Sequence, residues 1–101
     1  MNNNTMFIEV ENVDEIEGHI KNDEVMLLKF DTKDSKYNEY FNSIGLKVIN
    51  ITDKEIIDFY DINVLPTILV YKNKNLLDEI EGFHTKSSLI KKVLNIIGES
   101  L

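Results

Sequence analysis

The 101 residues read as one α/β domain, a central mixed sheet of about five strands with helices on both faces. Three observations predict it. Short apolar runs alternate with segments of helical period through most of the chain. One run, Val25 to Phe30 (VMLLKF), is almost wholly apolar, as a strand covered on both faces must be. Near the end, two strand-like runs are separated only by Asn73-Lys74-Asn75, which is a hairpin signal.

Met6 to Val10 (MFIEV) is the first expected strand. Asn12 then reads as a helix N-cap, with Glu15 three residues on to complete a capping box. Val13, Ile16 and Ile20 fall on one face of the helix that follows. After the Val25–Phe30 strand, Tyr37, Tyr40, Phe41 and Ile44 follow helical spacing, so a helix is expected over 34–44 with Gly45 ending it. Leu46 to Ile51 (LKVINI) is a strand. Thr52 and Glu55 form a second capping box, opening a helix through about Tyr60. The only proline, Pro66, leads into the strong strand Thr67 to Lys72, and Leu76 to Glu81 is its hairpin partner. Gly82 breaks the strand, Thr85 caps a last helix, and Leu89, Ile90, Val93, Leu94, Ile96 and Ile97 give that helix its apolar stripe. The first half favours parallel strands joined by right-handed crossovers, and the hairpin adds antiparallel ones. The expectation is one domain over 1–101, with residues 1–5 flexible.

Charge and composition exclude several functions. The net charge is -7 and all the cations are lysines, so the surface repels phosphate backbones and anionic lipid. Neither nucleic acid nor membrane is an expected partner. No apolar run approaches the roughly 20 residues that span a bilayer, and Met1-Asn2-Asn3-Asn4-Thr5 lacks the pattern of a secretory leader. A cytoplasmic location is therefore expected. The cysteine count is zero, which removes disulfides, thiolate metal sites and thiol catalysis together.

Two stretches carry a family resemblance. Ile62-Asn63-Val64-Leu65-Pro66-Thr67-Ile68-Leu69-Val70-Tyr71-Lys72-Asn73 resembles the thioredoxin signature around its cis-proline. Glu81-Gly82-Phe83-His84-Thr85-Lys86 and the helix after it resemble that family's C-terminal glycine turn and last helix. The resemblance implies a thioredoxin-like fold and a cis bond before Pro66. It sets Phe30 ahead of the active-site loop and lays Ser35-Lys36-Tyr37-Asn38 on the Cys-x-x-Cys positions, with neither cysteine present. Lys29 stands where redox-active members keep a buried acid, and Asp34 replaces the tryptophan before the first cysteine. The stretch from Asn38 to Pro66 is shorter than in typical thioredoxins. Within the superfamily, Leu77-Asp78-Glu79-Ile80-Glu81-Gly82-Phe83-His84 is most similar to the N-terminal thioredoxin-like domain of multidomain monothiol glutaredoxins, domains associated with iron and iron–sulfur trafficking. A non-catalytic domain of the disulfide-isomerase type is a further possibility, which the missing leader opposes.

The resemblance implies a redox-inactive, non-enzymatic module. Its binding groove is the former redox site, made by Ser35, Lys36, Tyr37, Asn38, Leu65, Pro66 and Thr67. The expected partner is a protein, recognised by strand addition to the backbone of Leu65, and the resemblance implies service as part of a larger glutaredoxin-like protein. The alternative is a glutathione-dependent or other enzyme that uses this fold without cysteine. No cofactor or metal is expected. Ser35 is read as a helix cap before it is read as a nucleophile. His19 and His84 lack a second ligand at metal spacing, and the acidic clusters at 9–17 and 78–81 lack a calcium-loop pattern. Tyr37, Tyr40 and Phe41 are expected in the core. Lys29, an ammonium in a buried strand, must snorkel or pair with a carboxylate such as Asp31 or Asp58.

Overall fold

The computed structural model describes residues 5–42 and 44–99 of the chain. Five strands form one sheet: β1 (Met6–Glu9), β2 (Val25–Phe30), β3 (Lys47–Ile51), β4 (Thr67–Lys72) and β5 (Asn75–Glu81). Their spatial order is β1-β3-β2-β4-β5. β3 lies parallel to both β1 and β2, whereas β4 runs antiparallel to β2 and to β5. This is the mixed sheet expected from the sequence. β2 sits at its centre and is apolar on both sides because both sides are covered.

The strand alternation separates two cores. On one face Met26, Leu28 and Phe30 of β2 meet Ile16 and Ile20 of α1 (Val13–Asn22) and Ile56 and Ile57 of α2 (Lys54–Phe59). On the other face Leu27, Val48, Ile68 and Val70 meet Tyr37, Phe41 and, from α3 (Lys86–Glu99), Leu89 and Val93.

Caps fix where the helices begin. Asn12 Oδ1 accepts the Glu15 N–H at 3.0 Å, as expected, and Glu15 Oε1 reaches back to the N–H of Glu11. Thr85 Oγ1 accepts from Ser88 N–H. At α2 the cap is Asp53 and not Thr52: its Oδ1 accepts the Ile56 N–H at 3.1 Å and the helix starts at Lys54. A carboxylate at the positive end of a helix outcompetes a neighbouring hydroxyl.

The helix expected over 34–44 is instead a six-residue 3₁₀ turn, Lys36–Phe41. The Thr5 N–H donates to the carbonyl of Asn42 and its hydroxyl to that of Phe41, which also accepts the Ile44 N–H, so the residue ahead of β1 is tied to the end of this turn. Of the segment 1–5 expected to be flexible, residues 1–4 lie outside the described residues. At the hairpin, Asn73 and Lys74 take left-handed φ of 50° and 74°, the two-residue turn that matches strand twist. The Leu65–Pro66 peptide is cis.

Candidate functional site

At the C-terminal end of β2 the chain stays on the sheet for one more residue, Asp31, whose N–H donates to Ile51 O. It then bends into the loop that carries Ser35. The Ser35 hydroxyl accepts the N–H of Tyr37 at 3.1 Å, the capping role read from the sequence. The 3₁₀ turn so started sends Tyr37 and Phe41 into the core and leaves Tyr40 half-buried.

Across from this turn stand Leu65, before Pro66, and Phe83, after Gly82. Gly82 has φ of 80°, a left-handed conformation that suits glycine. Its N–H donates to Pro66 O at 2.8 Å, which ties the β5 end to the proline turn. Phe83 is held only along one edge: its ring meets Tyr37 at 5.6 Å and a near-right angle, and the side chain is 75% exposed. Tyr37 also packs on Tyr40 at 4.9 Å.

These residues line an open groove of about 410 Å³ formed by Asp31, Thr32, Ser35, Tyr37, Tyr40, Leu65 and Phe83. Of the residues singled out from the sequence, Ser35, Tyr37 and Leu65 line it. Pro66 and Thr67 are buried behind Leu65, and the Thr67 hydroxyl donates to Val64 O at 2.6 Å. Asn38 sits half-buried outside the lining, and its Oδ1 accepts no hydrogen bond among the described residues. Lys36 contributes its backbone to the 3₁₀ turn. Asp31, Thr32 and Phe83 were not among the site residues read from the sequence. Phe83 alone carried a signal, a large apolar residue directly after a strand-breaking glycine.

Beneath the groove lies the ion pair that resolves Lys29. Its Nζ is 3.0 Å from Asp31 Oδ2, with both side chains almost wholly buried. Lys29 does not snorkel. Nζ also donates to Asn50 Oδ1 at 3.2 Å, and Asn50 Nδ2 donates in turn to Glu9. Asp31 Oδ1 accepts the Thr32 N–H at 2.7 Å, whereas among the described residues Oδ2 accepts no hydrogen bond, so its contact with Lys29 is Coulombic and poorly aligned. The polar line Asp31–Lys29–Asn50–Glu9 runs from the groove floor across β2 and β3 to β1.

The Tyr37 phenol oxygen accepts the N–H of His84 at 3.0 Å. Burial pushes its pKa above the ordinary tyrosine value; the His84 bond opposes this, and nearby Tyr40 and Asp31 add to it. His84 turns its ring toward Glu81 O, and His19 pairs with Asp23. Among the described residues no three His, Cys, Asp or Glu side chains converge as a metal would need. With no cysteine in the chain, the groove has no thiol nucleophile to offer a disulfide.

No family model matches the chain, and no curated protein matches it by sequence. Solved structures do match. Mitochondrial thioredoxin 3 from Saccharomyces cerevisiae, in its oxidised form, superposes with a TM-score of 0.75 at 14% identity, over 88% of this chain and 94% of that one. Thioredoxin from Trypanosoma brucei brucei gives 0.72 at 15% identity, over 91% of each chain. Oxidised thioredoxin from Plasmodium falciparum gives 0.66 at 21% identity, over 86% and 94%. The chain therefore has a thioredoxin-like fold.

Proposed function

We propose that this chain is a non-catalytic protein-binding module, an adaptor whose groove takes an extended segment of a partner protein. One observation carries the reading. Leu65 lies at the groove lip, 37% exposed, and among the described residues its backbone N–H and C=O make no hydrogen bond. A free donor and acceptor beside an aromatic wall are what an extended peptide needs for strand addition, with one side chain seated between Leu65 and Phe83. The lack of cysteine supports binding in place of exchange. The likeness of Leu77 to His84 to the N-terminal domains of monothiol glutaredoxins supports work beside a glutaredoxin unit, in redox homeostasis or iron–sulfur protein handling.

The test is selection of peptides from a displayed random library on the wild-type protein. Binding is then measured to Leu65→Glu and Phe83→Asp variants whose circular dichroism is unchanged. Selected peptides are expected to lose at least about tenfold in affinity on both variants, the scale of a central anchor. Peptides indifferent to both substitutions would place recognition elsewhere. Measurable glutathione-transfer or disulfide-reducing activity in the purified protein would overturn the non-enzymatic part.

A further inference from the structure

α3 carries more apolar residues than the sheet covers. Leu89 and Val93 are buried against it, and Ile96 shares their face. Ile90 and Leu94 fall outside that face, and Leu94 is 51% exposed in mid-helix. Both stand about 160° round the helix from Lys92, which lines a hollow with Asp78, Glu79 and Glu81 of β5. The flank of Ile90 and Leu94 is therefore turned away from β5. It borders an open hollow of about 710 Å³, lined by Lys86, Ser87, Ile90, Lys91, Leu94 and Asn95 with the cap Thr85. Among the described residues, no element other than α3 and its cap lines this hollow.

The spacing along this flank is that of a helix-pairing seam. Ser87, Ile90, Leu94 and Ile97 take the a, d, a and d places of two successive heptads, which puts Lys86 at g and Lys91 at e. Both lysines are exposed, and among the described residues neither is ion-paired. We propose that the flank docks an amphipathic helix of a partner protein, with an apolar seam bordered by glutamate or aspartate. Charge selects that occupant. Among the described residues no carboxylate lines the hollow, and Lys92 is spent on the β5 acids at the opposite side. The turn packed beside α3 carries Lys36 and Glu39, whose charges offset each other. A second copy fits less well. Its α3 would set lysine against lysine, its α1 exposes Asp14, Glu15 and Glu17 with no exposed apolar seam, and its six-residue α2 cannot span two heptads. The net charge of -7 opposes an acidic partner at long range. Beyond about 8 Å it is largely screened at physiological salt, whereas docked carboxylates would lie beside the two lysines.

The test uses the full chain at about 0.15 M salt and three fluorescein-labelled heptad peptides of one length. The first has leucine at a and d with glutamate at e and g. The second replaces those glutamates by glutamine, and the third replaces the leucines by alanine. In anisotropy titrations the first is expected to exceed the second by roughly fivefold, the scale of two exposed ion pairs. It should exceed the third by at least about tenfold, for the lost apolar seam. On a K86E/K91E variant the order of the two leucine peptides should reverse, and L94Q should weaken both. Equal binding of the leucine peptides to the wild type would overturn the proposal, and so would binding of none or an order that K86E/K91E leaves unchanged. Sedimentation of the chain alone tests the other occupant: self-association abolished by L94Q would assign the flank to a second copy and overturn the partner helix. The ranking on the wild type needs no substitution, so misfolding of a variant cannot mask the answer. These peptides do not probe the aromatic groove, so that reading stands or falls separately.

Discussion

Lys29 is where a residue-level cost is most visible. An ammonium in the central strand is tolerated because Asp31 stands 3.0 Å away and Asn50 supplies an acceptor. Removing one partner leaves a buried charge with nothing opposite it, which typically costs about 3–5 kcal/mol, whereas removing both charges together is often close to neutral. Lys29→Met is therefore expected to destabilise the fold by about that amount. Adding Asp31→Asn should restore most of it, since an amide oxygen can still accept the Thr32 N–H that Asp31 Oδ1 holds now. Urea unfolding of the two single variants and the double gives the coupling directly. Purely additive losses would show that the two side chains do not act as a pair. Tyr37 makes a second point at this scale, because it joins the two sides of the site. Its ring is core and its hydroxyl anchors the His84 backbone, so the groove wall cannot move without disturbing the layer under α3.

At the level of elements, the hairpin carries a local strain that a single change can relieve. Lys74 sits at φ 74° in the turn between β4 and β5, with Asn73 at 50° before it. Asn-Gly is the pair such a turn favours, and a side chain at positive φ is costly. Lys74→Gly is expected to raise stability by about 0.5–1 kcal/mol, read as a higher urea midpoint at unchanged slope. A lower midpoint would mean that Lys74 makes a contact worth more than the strain. The α2 cap offers the opposite sign: Asp53→Ala should lose about 1 kcal/mol while Thr52→Ala changes little. These two elements also show what the sequence can and cannot reveal. The strands, the Pro66 turn, the Asn12 and Thr85 caps and the last helix were legible, because each depends on local spacing and turn chemistry. The Thr52–Asp53 choice was not, since both residues are good caps and only the path of the chain decides between them. The 3₁₀ turn was also hidden, since apolar residues three and four apart suit a short 3₁₀ turn and a longer α-helix alike. The groove was half legible. Ser35, Tyr37 and Leu65 lie on segments with recognisable motifs, while Asp31 and Phe83 reach it only through the meeting of β2 and β5 ends across the sheet.

The whole molecule is two apolar layers on either side of one sheet, and each layer holds tyrosine whose ionisation burial in the folded chain disfavours. Tyr37 belongs to the layer under α3, and Tyr60 and Tyr71 pack against the layer under α1 and α2. Burial raises the pKa of all three, and the Glu17 carboxylate, which accepts the Tyr60 hydroxyl's hydrogen bond at 3.2 Å, pushes Tyr60 and Tyr71 the same way. In the unfolded chain these phenols ionise near the ordinary value of about 10, and in the folded chain above it. Over that interval the unfolded state holds fewer protons, so stability falls as pH rises. The tyrosine contribution is complete below pH about 10 and is lost progressively as the pH climbs from there through the folded-state values. Because the ionisations strike both layers, the loss is expected as one cooperative transition and not as fraying of a single helix. Urea midpoints measured from pH 8 upward, alongside the 295 nm absorbance of tyrosinate, follow the two events together. Tyr60→Phe and Tyr71→Phe, made jointly, should flatten the alkaline decline and leave the midpoint at pH 8 within about 1 kcal/mol of the wild type, the scale of one solvent-accessible hydrogen bond. An unchanged decline in that double variant would remove Tyr60 and Tyr71 as its source and leave Tyr37 and the net negative charge of the molecule, which grows as the lysines lose their protons.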